Sequence, residues 1–362
     1  MKKVLLIGPV PEPTTGVSLA NKVVIQNIEK SGKFKIDYIN TAYQKFEENH
    51  GSFSLDKVVF FLKTNLEIPK IFQNDIIYIT PGQTFFGVLK YLMFICISKI
   101  SKKELVIHIH GNYLGKQYEM LSGLKRKVFS SILKLTNKGI VLSELLMNNM
   151  TPFIDEKDIY QLYNFVEDDI INSEKAPINV EDSNTLRIFY LSNLMKEKGI
   201  FDLLEALVVL EKQGIDFHAK IAGNIDKSSE LKINTYLDKL KKVEFCGVVK
   251  GKAKQDLLNW GNIFILPTYY SMEGQPIAIL EAMSTGNLVL TTKHAGIPDI
   301  FKAGENGFYV DKNSASSIVD KLKYVKNNLD EMKKISEHNK SYAKKKYTVK
   351  NFIDNIEVIF TA

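Results

Sequence analysis

Short, nearly unbroken apolar runs rich in β-branched and aromatic residues recur along the whole chain, and each is followed by a stretch of helical period. In the first half they read KVLLIG, FKIDYIN, DIIYIT, ELVIHIH, GIVLS and IYQLYNF. In the second they read LRIFYLS, FHAKIAG, VEFCGVV, IFILPT and LVLTT. A strand that faces water on one side alternates apolar with polar, whereas most of these runs are near-continuous. Strands of this kind, interleaved with helices, belong to parallel sheets covered on both faces. The expected class is α/β.

The chain has 362 residues, more than one core usually holds. Between the two sets of strands lies VEDDIINSEKAPINVEDSNTL (Val166 to Leu186), acidic, polar and proline-containing, which reads as a linker. Two doubly wound α/β domains result, with ligands expected beyond the carboxyl ends of the strands. Apolar content of 45% with 25% charged residues is that of a globular chain and excludes fibrous and disordered classes. The net charge of +7 suits an anionic partner. The two cysteines, Cys96 and Cys246, lie far apart and give no disulfide scaffold, which fits a reducing cytoplasm. The apolar start breaks at Gly8-Pro9, too early for an export signal, and reads as a buried strand. Phe85 to Ile100 is apolar but falls short of the roughly 20 residues that span a bilayer, so it reads as a buried helix.

The loops after the strands are where chemistry is expected. EGQPIAILEAMSTG (Glu273 to Gly286) follows one of them. Pro276 suits the first position of a helix, where its missing N–H goes unused. The amides of Gly274, Gln275 and Ile277 would then point out of a helix N-terminus, an end that favours an anion. Glu273 could bind sugar hydroxyls and Glu281 a ribose diol. A capped helix bearing two solvated acids accounts for the same residues equally well. Lys198, in a loop at a helix start, has the type of a phosphate ligand, or is a solvated surface lysine.

EGQPIAILEAMSTGNLVLTTKHAGIPDIFKAGENGFYV closely resembles the donor segment of the retaining, GT-B-fold glycosyltransferases of family 4, with its Glu-x7-Glu signature. FYLSNLMKEKGIFDLLEAL resembles their diphosphate-binding strand, loop and helix. The resemblance implies two facing Rossmann-like domains with a deep cleft between them. Residues 1–166 would bind acceptor and 167–344 a nucleotide-sugar donor, with a helix over 345–362 packing back on the first domain. It also implies that Glu273 contacts the transferred sugar, that Glu281 holds the ribose, and that the amides of Gly274, Gln275 and Ile277 contact sugar and diphosphate. Lys198 would hold the diphosphate, and Gly223 and Val248 would line the nucleotide pocket. Two positions depart from the pattern. Pro276 stands where many members have glycine, removing one amide, and Asn193 stands where a second phosphate-binding arginine is frequent.

The first half matches less tightly. PVPEPTTGVS corresponds to the family's first loop, and Gly16 allows close approach to a phosphate or simply makes a turn. VIHIHGNY places His108 and His110 on one side of a strand end. His110 matches the family histidine beside the donor sugar and acceptor. Ser143, Glu144 and Asn164 match further cleft-edge positions. No G-x-G-x-x-G is present, which argues against a nicotinamide fingerprint. No Asp-x-Asp follows a strand, so the expected chemistry is metal-independent. Gly115 to Gly139 carries Lys116, Lys125, Arg126, Lys127, Lys134 and Lys138 against an apolar side, a basic amphipathic helix suited to an anionic membrane surface. No nucleic-acid motif accompanies these charges.

The function expected is therefore a cytoplasmic retaining glycosyltransferase, also contacting the inner face of the membrane. A UDP-sugar is favoured as co-substrate over a GDP-sugar. The acceptor would be a saccharide or a polyprenyl-diphosphate-linked sugar in surface-polysaccharide synthesis. A sugar-nucleotide epimerase, a sugar-phosphate synthase and a non-catalytic nucleotide-sugar-binding subunit are the alternatives.

Overall fold

The computed structural model describes residues 1–43, 60, 63–173 and 185–362. It divides into two compact units, Met1–Asn164 with Lys350–Ala362, and Phe165–Val349.

The first unit is built on β1 (Lys2–Gly8), β2 (Phe34–Asn40), β3 (Ile76–Ile79), β4 (Glu104–Ile109), β5 (Lys138–Val141) and β6 (Ile159–Gln161). They form one sheet in the order β2-β1-β3-β4-β5-β6, with every pairing parallel. Residues 4–7 of β1 and 76–79 of β3 are at most 1% exposed, as strands covered on both faces must be. The order reverses between β1 and β3, so this unit's topological switch point lies beyond those strands. The last helix, Val349–Thr361, turns Phe352, Ile356, Ile359 and Phe360 inward. Phe360 meets the rings of Phe34 and Tyr78, and Glu357 pairs with Lys33 at 3.0 Å.

The second unit carries β7 (Leu186–Leu191), β8 (Phe217–Ala222), β9 (Val243–Gly247), β10 (Ile263–Leu266), β11 (Leu288–Thr291) and β12 (Gly307–Tyr309). Their order is β12-β11-β10-β7-β8-β9, again all parallel, which is the doubly wound dinucleotide-type arrangement with its switch point between β7 and β10. Two Rossmann-like units of this kind make up the GT-B fold.

Four expectations are corrected. The segment Phe85 to Ile100 is two helices, Phe85–Leu89 and Leu92–Ile100, and it leaves Phe86 and Ile100 exposed. The basic stretch is also two helices, Leu114–Met120 and Gly123–Leu133, because Gly123 takes a left-handed φ of 54°. Lys138 lies in β5 and bonds the Ile359 carbonyl at 2.9 Å. The stretch read as a linker begins as packed structure: Val166 pairs with Thr348, and Ile170 and Ile171 of the short helix Asp168–Ile171 are buried. Its residues 174–184 lie outside the described residues. Finally, Pro276 is not inside its helix but is the residue before it, with an extended ψ of 115°. Among the described residues, no helix is long and apolar enough to cross a membrane.

Candidate active site

The loops after β7 and β10 meet at the second unit's switch point. Leaving β7, the chain turns through Asn193 to a single 3-10 turn, Lys196–Lys198, and enters the helix Ile200–Lys212 through Gly199. Gly199 has φ +75°, and a Cβ there would lie 2.4 Å from the Pro267 carbonyl oxygen. Only glycine lets the two loops approach this closely. A hydrogen bond then joins them: the Tyr269 amide donates to the Glu197 carbonyl at 2.8 Å, with the Thr268 hydroxyl oxygen 3.3 Å from the same carbonyl.

This stitching carries Lys198 to Glu273, 75 residues away in sequence. The Lys198 Nζ donates to Glu273 Oε2 at 2.7 Å, and the Thr268 hydroxyl donates to the same oxygen at 3.0 Å. Both charged side chains are largely enclosed, 14% and 8% exposed. Nζ also lies 5.1 Å from the centroid of the Tyr270 ring. Enclosing two opposite charges costs desolvation that the pair roughly recovers, so such a pair is weakly justified by stability alone.

Gly274, Gln275 and Pro276 follow, all buried, and lead into the helix Ile277–Ser284. The Pro276 carbonyl accepts from the Ile279 amide at 3.1 Å, and no side chain caps this end. The helix therefore presents an end of positive partial charge a few residues along the chain from Glu273, the partner of Lys198. The Gly296 amide donates to the Gly274 carbonyl at 3.0 Å, fixing the glycine loop against the loop after β11. In that second loop, His294 Nε2–H donates to the Tyr270 carbonyl at 2.8 Å, so its Nδ1 accepts from Lys312 at 3.1 Å. Burial lowers the His294 pKa, and Lys312 lowers it further despite the carbonyl bond, which keeps the ring neutral.

Glu281 faces a different partner. Its Oε1 accepts from Lys254 Nζ at 2.7 Å, and Lys254 also reaches Glu167 at 3.2 Å. Burial alone would lower the Lys254 pKa; Glu281 and then Glu167 outweigh it and raise it. Gly223, at the end of β8, has φ +145°, and a Cβ there would lie 1.8 Å from the Ser192 carbonyl oxygen, so the loops after β7 and β8 also pack tightly. Asn193 is exposed, its carbonyl accepting from the Tyr190 hydroxyl at 2.9 Å, and Val248 is 60% exposed.

The remaining sequence-predicted residues belong to the first unit. Gly16 opens the helix Gly16–Asn27, whose Thr15 cap exchanges hydrogen bonds with Ser18. His110 follows β4, its ring centroid 3.8 Å from that of His108, whose Nδ1 meets the Tyr78 hydroxyl at 2.6 Å. Burial holds the His110 pKa at about 3 and drives that of His108 down, with His110 adding to the latter. The buried Nε2 atoms of both histidines have no hydrogen-bond partner among the described residues.

Thus the second unit joins Lys198, Glu273 and the 274–277 segment, while Glu281 is engaged separately by Lys254. Lys254, Thr268, His294 and Lys312 were not foreseen. Thr268 had a signal, its place directly after a strand and proline, whereas nothing in the sequence singles out Lys254 within its polar helix.

The profile of the glycosyl transferases group 1 matches residues 172–342, the second unit almost end to end. Curated relatives include the amylovoran biosynthesis glycosyltransferase AmsK of Erwinia amylovora, 29% identical over 155 residues, or 41% of this chain and 38% of AmsK. The capsular polysaccharide biosynthesis glycosyltransferase CapM of Staphylococcus aureus is 22% identical over 237 residues, 66% of this chain and 59% of CapM. The chain thus spans less than two thirds of either relative. Among solved structures, Anabaena Alr3699/HepE in complex with UDP-glucose superposes with a TM-score of 0.75 at 15% identity, covering 100% of both chains, and so shares the whole fold. Among the described residues, no three His, Cys, Asp or Glu side chains cluster as metal ligands would.

Proposed function

We propose that the chain is a retaining glycosyltransferase that moves a sugar from a UDP-sugar to a saccharide or polyprenyl-diphosphate-linked acceptor during surface-polysaccharide synthesis. The observation that carries this reading is the enclosed Lys198–Glu273 pair at the switch point, beside an uncapped helix end. On arrival of the donor, Lys198 takes the diphosphate as a point charge, and the amides of Gly274, Gln275 and Ile277 share its oxygens. Glu273, held by Thr268, accepts from hydroxyls of the transferred sugar. Glu281 accepts from the ribose hydroxyls with the oxygen that Lys254 does not occupy. As the sugar–phosphate bond breaks, negative charge grows on the diphosphate, where Lys198 and the amides stand ready for it. The departing phosphate oxygen then takes the proton of the acceptor hydroxyl, which attacks from the same face, so configuration is retained.

The first unit is assigned the acceptor. His110, neutral at working pH with a buried Nε2 that has no partner among the described residues, hydrogen-bonds the sugar or the acceptor hydroxyl and carries no charge. The names of AmsK and CapM support a polysaccharide product, and the UDP-glucose bound to HepE supports a UDP-sugar. Lys198 and the helix end supply the cationic charge, so activity is expected to survive EDTA. Peripheral membrane contact is assigned to the helices Leu114–Met120 and Gly123–Leu133, where Met120 and Leu124 are 64% and 76% exposed among Lys116, Lys125, Arg126 and Lys127.

The test is turnover of UDP-sugars with and without added saccharide acceptors, analysed by product. Acceptor-dependent release of UDP with a new glycosidic bond supports the reading. Epimerised donor without acceptor would replace it with an epimerase. Full turnover in both Lys198→Ala and Glu281→Ala would remove the site assignment.

A further inference from the structure

The opposite, amino-terminal ends of β7, β8 and β9 line an open cavity of about 630 Å3. Six of its side chains carry the argument: Arg187, His218, Lys220, Lys241, Glu244 and Trp260. The parallel register sets Arg187 directly beside His218, and Lys220 beside Glu244. Strand alternation then puts Arg187, His218, Lys220 and Glu244 on one face of the sheet. Such a face in a doubly wound sheet is normally apolar and covered. Here it is polar and hollow.

The charges do not cancel. Glu244 is taken by Lys220 at 3.2 Å, and Lys242 at the rim is taken by Asp216 at 2.7 Å. Among the described residues, the Arg187 guanidinium, the His218 imidazole and the Lys241 ammonium have no hydrogen bond or ion pair. Arg187 lies directly across from His218, and Asp216 nearby is already held by Lys242 and Thr185. The indole of Trp260 adds a flat wall, part of which the Lys220 ammonium covers, 4.9 Å from the ring centroid. It is held close to β7 because the next residue is Gly261, whose Cβ, if present, would lie 2.2 Å from the Phe189 ring. A volume within the ~300–1,000 Å3 range of small-ligand sites is far larger than a lone phosphate needs.

We propose that this cavity is an accessory, non-catalytic site for an acidic saccharide. The uronate or phosphate group sits between Arg187, His218 and Lys241, and the C–H face of a sugar ring packs on Trp260. The site lies a strand's length, roughly 20 Å, from the carboxyl ends that carry Lys198 and Glu273, so ligands at the two sites do not overlap. The anion site stands on its own geometry; the choice of a saccharide rests on the glycosyltransferase reading. Its role would be to retain an acidic glycan while the donor site turns over.

The chain contains one tryptophan, so its fluorescence reports on this cavity directly. The probes are a hyaluronan tetrasaccharide, glucose 6-phosphate and the neutral chitotetraose, with UDP followed by calorimetry. The expected result is a saturable change in Trp260 emission with at least one acidic sugar, weakening as salt rises, and none with chitotetraose. Arg187→Ala/Lys241→Ala should weaken it about tenfold while leaving UDP binding and far-ultraviolet dichroism unchanged. Absence of a saturable change with both acidic sugars, or an equal response to chitotetraose, would overturn the proposal. An unaltered response in Arg187→Ala/Lys241→Ala would do the same. If acidic sugars bind but UDP does not, the cavity assignment stands and the glycosyltransferase reading falls.

Discussion

At the scale of single residues, the Lys198–Glu273 pair is the most consequential feature. Breaking an enclosed pair by removing one partner leaves the other charge uncompensated, at a cost of about 3 kcal/mol. Lys198→Met is therefore expected to lower the unfolding free energy by about that amount and kcat/KM by about 10²-fold or more. Lys198→Met/Glu273→Leu should recover the stability but none of the turnover, which separates the pair's structural cost from its function; thermal unfolding and a donor-turnover assay read both. The histidines give a second expectation. His108 and His110 stay neutral in the folded chain, whereas in the unfolded chain they take up protons near pH 6.5. Below that pH the unfolded state binds more protons, so stability falls as pH drops toward 3, by up to about 1.4 kcal/mol per unit for each. Denaturation of His110→Asn across pH 4 to 8 should give a shallower slope than wild type. Of these residues, Lys198 and Glu273 were legible from the motifs around them. Their mutual contact was not, because it depends on a Gly199–Pro267 approach that no spacing records. Lys254 was illegible for a related reason: its partners, Glu167 and Glu281, come from elements distant in sequence.

At the scale of elements, the loops after β7 and β10 act as one piece. Gly199→Ala must displace either the Lys198 turn or Pro267, so it is expected to cost about 1–2 kcal/mol and about tenfold in kcat/KM. A variant as stable and active as wild type would show that the loops move independently. The helix Gly251–Trp260 has a comparable role through Lys254. Lys254→Met should weaken UDP binding by about tenfold by leaving Glu281 buried without its cation, and Lys254→Arg should restore most of it. Elements were read from the sequence with uneven success. β1 to β11 stood out as apolar runs, most plainly β1, β3, β4, β10 and β11, where both faces of the sheet are covered. β12 is not among those runs, since three residues beginning with Gly307 carry no usable pattern. The break at Ser122-Gly123 was missed because the basic and apolar residues on either side keep one helical period across it.

At the scale of the whole molecule, two parallel sheets of related order account for the GT-B class, and the near-continuous apolar runs announced them. The return of the last helix, Val349–Thr361, to the first sheet rests on the stripe of Phe352, Ile356, Ile359 and Phe360, whose period is plain in the sequence. The proposed membrane contact is tested on the intact chain. It should sediment with anionic but not neutral vesicles, and Lys125→Glu/Lys127→Glu should reduce that binding about tenfold or more. Retention of full binding by that variant would place the contact elsewhere. The central claim, a diphosphate site at the β7–β10 switch point, is tested most directly by calorimetry of UDP and uridine on wild type and Lys198→Met. Wild type should bind UDP saturably and uridine far more weakly, and Lys198→Met should lose at least tenfold in UDP affinity with uridine unchanged. Equal UDP affinity in Lys198→Met and wild type would contradict it.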